Sequence, residues 1–373
     1  MSVNYSLQAA TASVWSILRV LVLWKGSLWK LIWRELSLWL VLFTSLNIIY
    51  YCLIKNSIAA DYYKIIITLK KESTFDSTMM FLLTYMTHNS LTRWSETYKL
   101  LMWPENIALL FKQYCNEKAM SKQESENLRS SIVRYLTTFY ILVFRDVSTE
   151  VRELFPTFES LVELNIITGD ELKLLRSSRL SNGACFYWIP IDWIILLVKK
   201  KYRPKYICDS KKRKIRNTKE SIMTEYEYCD FIIEIGKLRA KIGDILSFDW
   251  VPVPLAFIQT ITVFVYSTLI VNTIRMHGRI ISEQDTAVFL TEIFTECIST
   301  LPFSIVYLAF LRISQVVINP FGRDDDDFET PYLIQRHFNV LREILYREDN
   351  NKMAKMKTEE NAQHTTTRIK KEK

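Results

Sequence analysis

Ile318-Asn319-Pro320-Phe321-Gly322-Arg323-Asp324-Asp325-Asp326-Asp327-Phe328-Glu329 sets four consecutive aspartates directly after a Pro-x-Gly bend. Four carboxylates this close repel one another, and protonating them at neutral pH is costly. Full solvation, a helix N-terminus or a bound cation would offset that repulsion. Asn-Pro and Gly interrupt regular structure just before the run, so a turn feeding a new helix is expected. Carbonyls exposed at the end of the preceding helix are good ligands for a hard cation, and Ca2+ takes 6–8 oxygens, carboxylate and carbonyl mixed. A solvated acidic run and a helix N-cap remain open alongside a cation site. An EF-hand is excluded, because the alternating D-x-D-x-D-G loop ending in Glu is absent. A prenyl-transfer DDxxD is excluded as well: Asp324 and Asp325 would need an Asp where Phe328 stands.

Working outward, the composition is that of long helices with aromatic belts. Hydrophobic residues make up 49% of 373, with ten Trp, 19 Tyr and 20 Phe but only seven Gly. Such a balance argues against an all-β fold and suits membrane interfaces. The net charge of +8 is compatible with nucleic acid or an anionic lipid surface, and the apolar segments favour lipid over nucleic acid. Six scattered cysteines (Cys52, Cys115, Cys185, Cys208, Cys229, Cys297) form no CxxC pair, so neither zinc nor a disulfide framework is indicated. HExxH is absent, and the first apolar stretch carries Arg19 and no small-residue cleavage site, so no cleavable signal peptide is expected.

Leu36–Ile54 runs 19 residues without a charge, enough to span a bilayer, with Arg19, Lys25, Lys30 and Arg34 before it. Those charges place the N-terminus in the cytosol. Residues 77–92 are uncharged but rich in Ser, Thr, Asn and Met, which suits a helix lining a pore or packed inside a bundle. Residues 93 to about 245 read as a cytosolic helical region, with helical periodicity over Ser121–Tyr140 and Glu150–Ser177 and a helix start at Asp170-Glu171. Within it, Cys185–Val198 contains Pro190 and Asp192 and reads as core or interfacial rather than spanning. Lys199–Arg216 holds ten basic residues against Asp209 alone. It reads as a solvated, partly disordered loop, or as a patch facing anionic lipid or attracting permeant anions. Trp250–Ile274, 25 residues without charge, is the clearest span, and Cys297–Leu311 is another apolar run. From Asn350 onward the composition is that of a disordered tail. About four membrane segments per chain and two cytosolic termini follow. No nucleophile triad, phosphate loop or transition-metal cluster appears, and an enzyme is not expected.

The quoted stretch resembles the bestrophin family, whose members carry I-N-P-F-G-x-D-D-D-D-F-E just after their last membrane helix. Further blocks match in the family's order: Asn4-Tyr5 through Gln8-Ala9-Ala10, Trp24-Lys25-Gly26-Ser27, Lys30-Leu31, Thr92-Arg93-Trp94, Trp103-Pro104, Arg145-Asp146-Val147-Ser148-Thr149, Phe155-Pro156, Trp188-Ile189-Pro190 and Phe248-Asp249-Trp250. Coverage reaches about residue 345. The resemblance implies an all-α, multi-pass plasma-membrane protein, a homopentameric Ca2+-activated anion channel with chloride as permeant ion, surrounded by membrane lipid. Its parts would be a cytosolic N-terminal arm (1–30), a first membrane hairpin with the neck helix (31–95), a cytosolic helical region with a basic insertion near 199–220 (96–245), a second membrane hairpin (246–312), a Ca2+ clasp with its following helix (313–345) and a disordered tail (346–373).

Carried over by position, the clasp would use the side chains of Asp324 and Asp327 and the backbone carbonyls of Ala10, Val316 and Asn319. Asp residues three apart share one face of a helical turn. The family's three neck positions fall on Ser77, Phe81 and Tyr85, four residues apart and therefore on one helix face. The family usually has apolar side chains there, with a Gly and an aromatic adjacent, whereas this chain has Ser77, Thr84 and Tyr85. Aligning forward from Trp188-Ile189-Pro190 or backward from Phe248-Asp249-Trp250 gives registers about fifteen residues apart, so an insertion falls near the family's cytosolic aperture, and no aperture residue is assigned. Because hydrophobic constrictions gate by dewetting, these departures also admit a poorly conducting regulatory or heteromeric subunit.

Overall fold

The structure, a computed structural model, describes residues 13–54, 75–177, 185–202, 206–208, 215–217, 221–281 and 286–347. They form two compact units, each assembled from two stretches of chain. One comprises Met1–Leu100 with Ser247–Glu329, the other Leu101–Leu246 with Thr330–Lys373.

In the first unit a short helix, α1 (Val14–Leu21), precedes α2 (Leu28–Ile49). Gly26, with a φ of 68°, turns the chain between them, a backbone that a side chain would strain. Ser27 caps α2 by accepting from Lys30 N–H. A π-helical turn, Tyr50–Ile54, extends α2. α3 (Phe75–Leu100) follows, and after the second unit's first stretch the chain returns through α11 (Leu255–Ile281) and α12 (Thr286–Val317). Among the described residues, three segments are long and apolar enough to cross a membrane: Leu28–Ile54, Leu255–Ile274 and Ile293–Val317. The first therefore begins eight residues before the expected Leu36. The second begins at Leu255 rather than Trp250, because Pro252 and Pro254 interrupt the chain and Trp250 ends the preceding helix. α3, which carries Asp76, Arg93 and Glu96 among many hydroxyls, is not among the three.

These four helices share one core. Ile32 of α2, Met79, Leu83 and Met86 of α3, Ile261, Val265 and Leu269 of α11, and Leu308 and Leu311 of α12 form one buried cluster. Polar pairs join the same helices. Thr87 and Ser314 hydroxyls lie 2.7 Å apart, Trp39 Nε1 donates to Thr273 Oγ1 at 2.9 Å, and His277 Nδ1 lies 3.0 Å from Asn47 Oδ1. Glu35 of α2 pairs with Arg312 of α12, which also donates to Gln315, and Gln315 reaches Thr262 of α11. Polar residues facing one another inside a helix bundle avoid hydrocarbon, and small hydroxyls let backbones approach closely.

The second unit holds α4 (Glu105–Tyr114), α5 (Lys122–Val147), α6 (Thr149–Leu154), α7 (Glu159–Glu163), α8 (Gly169–Arg176), α9 (Trp188–Lys201) and, at its end, α13 (Thr330–Tyr346); α10 (Glu225–Trp250) belongs to it as far as Leu246. Reciprocal capping boxes, Ser121 with Glu124 and Thr168 with Glu171, start α5 and α8. Over Thr137–Phe144 α5 is buried on every side, as a central helix must be. α9 lies against it, with Trp193 edge-on to Tyr135; within Cys185–Val198, Ile189, Ile191, Ile194 and Val198 are buried while Trp188 and Leu196 are exposed, so the segment is core on one face only. Glu150–Ser177 is three short helices rather than one, interrupted at Pro156 and at Asn165, whose φ is 55°. On α13, Arg336 pairs with Glu105 at 2.5 Å, and the His337 ring packs on Tyr140 and Trp103. Burial there holds the imidazole down to about 4, hence neutral at physiological pH.

The basic stretch departs from a plain loop. Lys199–Lys201 finish α9, with Lys201 paired to Glu124 at 2.8 Å. An antiparallel hairpin follows, β1 (Tyr206–Cys208) with β2 (Ile215–Asn217), in which Ile207 faces Arg216. Tyr, Ile and Cys at these positions favour extended backbone over a charge-only reading. The fold is thus helical with one two-stranded ribbon among the described residues. The tail beyond residue 347 lies outside them.

Buried positions of α10 repeat at spacings of four and three (Phe231, Ile235, Leu238, Ile242, Ile245), one continuous stripe. Leu238→Ala should lower stability by about 2–5 kcal/mol. Lys237→Ala, one residue away in an exposed i,i+3 pair with Glu234, should cost no more than about 0.5 kcal/mol. Thermal unfolding of the detergent-solubilised protein reads both. Equal losses would mean that this stripe does not face the core.

Candidate functional site

The site starts from a missing donor. α12 ends at Val317, and the Val316 carbonyl would bond the N–H four residues on. That residue is Pro320, which has none, so this carbonyl is left without its helical partner. Asn319 turns the chain by accepting Phe321 N–H on its own Oδ1 at 3.3 Å, and Phe328 N–H returns to the Pro320 carbonyl at 2.8 Å. The aspartates occupy the loop so closed. Asp327 N–H bonds the Asp324 carbonyl at 3.1 Å, while Asp324 N–H donates back to Asp327 Oδ2 at 2.7 Å. The run is therefore a turn ahead of α13, which begins at Thr330, and does not cap that helix.

The four carboxylates have separate surroundings. Asp325 Oδ2 accepts from Lys30 Nζ at 2.5 Å and from Gly26 N–H at 2.9 Å, tying the loop to the turn before α2. The Lys30 hydrogen bond, with that from Gly26, holds the Asp325 carboxyl below its ordinary range. Asp324 is exposed. Asp326 is raised by burial and then by its acidic neighbours Asp325 and Asp324. Asp327 is 5% exposed, and burial, with Asp324 and Asp326 alongside, pushes its carboxyl up to about 6. A Cβ at Gly322 would fall 2.6 Å from Asp327 Oδ2 and 3.6 Å from the Asn319 carbonyl oxygen, so both oxygens border the small space that glycine leaves open.

These donors fit a hard cation. They are carboxylate and main-chain carbonyl oxygens from one short loop, with one buried carboxylate that meets a backbone N–H and acidic neighbours. Among the described residues no three His, Cys, Asp or Glu side chains converge, so a site built from side chains alone, as for zinc, is not present there. Ala10 lies outside the described residues. Val316, Asn319, Asp324 and Asp327 lie within twelve residues of chain, and the structure brings the Asn319 carbonyl and the Asp327 carboxylate to one space, with Asp324 joined to Asp327 through its backbone. Lys30 and Gly26, which hold the Asp325 carboxylate, were not assigned from sequence; the signal lay in the Lys25-Gly26 and Lys30 blocks that accompany the Asp run.

The loop touches α3 through aromatic rings. Phe328 packs on Trp94 at 5.3 Å and Tyr98 at 5.6 Å between centroids, with Phe321 edge-on to it at 5.7 Å. Arg93, one residue before Trp94, donates to the Val251 carbonyl at 3.1 Å and to that of Phe248, closing the end of α10 onto α3. Further along α3, the core takes Met79, Leu83 and Met86, whereas Ser77, Phe81 and Tyr85 fall on the other side and are exposed, Phe81 at 70%. Tyr85 also meets Phe257 edge-on at 6.3 Å.

Comparison with known proteins agrees with this architecture. The family described as "Bestrophin, RFP-TM, chloride channel" matches residues 1–347. Bestrophin homolog 24 of Caenorhabditis elegans is 26% identical over 343 residues, 91% of this chain and 50% of the relative. Human Bestrophin-3 is 29% identical over 342 residues, again 91% of this chain but 48% of the relative, so the chain spans about half the length of both. The crystal structure of a bacterial bestrophin homolog from Klebsiella pneumoniae superposes with a TM-score of 0.57 over 84% of this chain and all of that one, at 12% identity, a likeness of fold. The family is one of channels rather than enzymes, its apolar helices suit a membrane, and this chain belongs to the bestrophin family.

Proposed function

We propose that the chain is the subunit of a homopentameric, Ca2+-activated anion channel of the plasma membrane, with chloride as its permeant ion and both termini cytosolic. The observation that carries this reading is the loop at 316–327, where the buried Asp327 carboxylate and the Asn319 carbonyl border the one small space left at Gly322, beside the helix that bears the neck positions. Asp324 and Asp327 would hold Ca2+ with the carbonyls of Val316, Asn319 and Ala10; when bound, the ion supplies the positive charge that the aspartates lack. Holding them fixes Phe328, and Phe328 presses on Trp94 and Tyr98 of α3. The loop and the neck face then belong to one rigid helix and its support.

Five-fold repetition turns Ser77, Phe81 and Tyr85 into rings. Phe81 gives an apolar constriction that dewets when narrow. Aromatic edges carry partial positive charge and favour a dehydrated anion, and the hydroxyls of Ser77 and Tyr85 lower the cost of stripping its water.

The first test is patch-clamp recording of anion current against cytosolic Ca2+. Asp324→Asn and Asp327→Asn should each shift the half-activating Ca2+ concentration upward by about tenfold or more, and Asp325→Asn, whose carboxylate serves Lys30, by much less. Equal shifts at all three positions would assign the run a bulk electrostatic role. Absence of current at saturating Ca2+, with protein at the cell surface, would identify a non-conducting partner subunit.

The second test addresses the neck. Phe81→Ala should leave current at low Ca2+, and Tyr85→Phe should change the ratio of chloride to larger-anion permeability more than the Ca2+ dependence. Unaltered gating and selectivity in both variants would remove α3 from the conduction path.

A further inference from the structure

α1 buries nothing. Val14, Trp15, Ile17, Leu18, Leu21 and Val22 fall on one face at helical spacing, and all six are exposed, Trp15 at 81%. Ser16 and Arg19 lie on the other side. Water is a poor solvent for such a face, and a helix of this kind needs an apolar neighbour.

The position of α1 limits what that neighbour can be. Six residues separate Leu21 from Leu28, where the first apolar span begins, so the end of α1 stays within about 25 Å of the start of that span even if the seven-step link is fully extended. The link is also fixed at its far end, because Gly26 N–H is bonded to Asp325 and Ser27 caps α2. Around the same boundary Trp24, Trp29 and Trp33 are exposed, and Arg34 stacks over Trp33 at 5.6 Å. Tryptophans at the headgroup level mark an interface. Arg19 and Lys25, both exposed, add positive charge there. An apolar face flanked by tryptophans and cations matches an anionic bilayer surface, with charge complementarity that a second copy of this basic segment would lack.

We propose that α1 lies in the plane of the leaflet at the Leu28 end of the first span and binds anionic phospholipid. Its apolar face enters the acyl boundary, and Arg19 and Lys25 meet the headgroups. This rests on the membrane reading of the chain, and its readout requires no Ca2+.

The test uses the full chain reconstituted in bilayers. Trp15→Phe is compared with the native chain, so that Trp15 emission is obtained by difference. Lipids brominated near the headgroup end of the acyl chain quench a neighbouring indole. Trp15 emission should be quenched, and several-fold more strongly when the bromine is carried by phosphatidylserine than by phosphatidylcholine. Arg19→Gln with Lys25→Gln should abolish that preference, by about fivefold for each charge removed, while quenching by phosphatidylcholine persists. Salt near 1 M, where the screening length is about 3 Å, should do the same in the native chain. Trp15 quenched equally by both lipids would overturn the headgroup assignment. Trp15 quenched by neither lipid but shielded from aqueous iodide would place α1 against another subunit, and quenching by iodide would place it in water; either overturns the proposal. Because no Ca2+ response is read, failure here leaves the channel reading intact.

Discussion

Four adjacent carboxylates must each find somewhere to put a negative charge. Two such charges about 4 Å apart cost on the order of 4 kcal/mol at an effective dielectric of about 20, so leaving all four together is not tenable. The chain spreads them over different solutions: Lys30 and a backbone N–H for Asp325, solvent for Asp324, and partial burial with raised proton affinity for Asp326 and Asp327. Only the third of these leaves acidic neighbours and burial as the dominant influences on the carboxyl. The loop is closed by backbone bonds from Phe328 to Pro320 and from Asp327 to Asp324, so the buried Asp327 carboxylate sits in a fixed frame. Anything that settles Asp327 also settles the residue after it, and that residue is the ring lodged against α3.

Much of this was legible in the residues. The Asn-Pro bend, the exposed carbonyls and the spacing of Asp324 and Asp327 come from local chemistry with short reach. The helix start expected at Asp170-Glu171 falls at Gly169, behind the Thr168 cap, and the polar character of α3 was readable from its hydroxyls. What escaped was set by partners distant in sequence. Glu35 and Arg312 each lay just outside an apolar run, so each run was ended at its charge. They instead face one another, and both helices continue through the pair. Asn47 and His277 meet across 230 positions of sequence, a pairing that no local pattern announces. The hairpin in the basic stretch was hidden because charge outweighs β propensity in any reading by composition. The separate duty of Asp325 could not be seen without Lys30 beside it.

The chain order of the two units sets a timetable for synthesis. The first unit's opening stretch ends at Leu100 and its remainder resumes at Ser247, so residues 101–246 must be made between them. At about 5–20 residues per second this is an interval of roughly 7–30 s. Through that interval α2 and α3 exist without α11 and α12. Glu35, Thr87 and Asn47 then have no Arg312, Ser314 or His277 to meet. Thr87 and Asn47 can still donate to carbonyls of their own helices, but the Glu35 carboxylate and the Asn47 amide oxygen then face hydrocarbon without these partners, which is costly. The same polar pairs that join the finished bundle make its first half a poor resident of the membrane on its own.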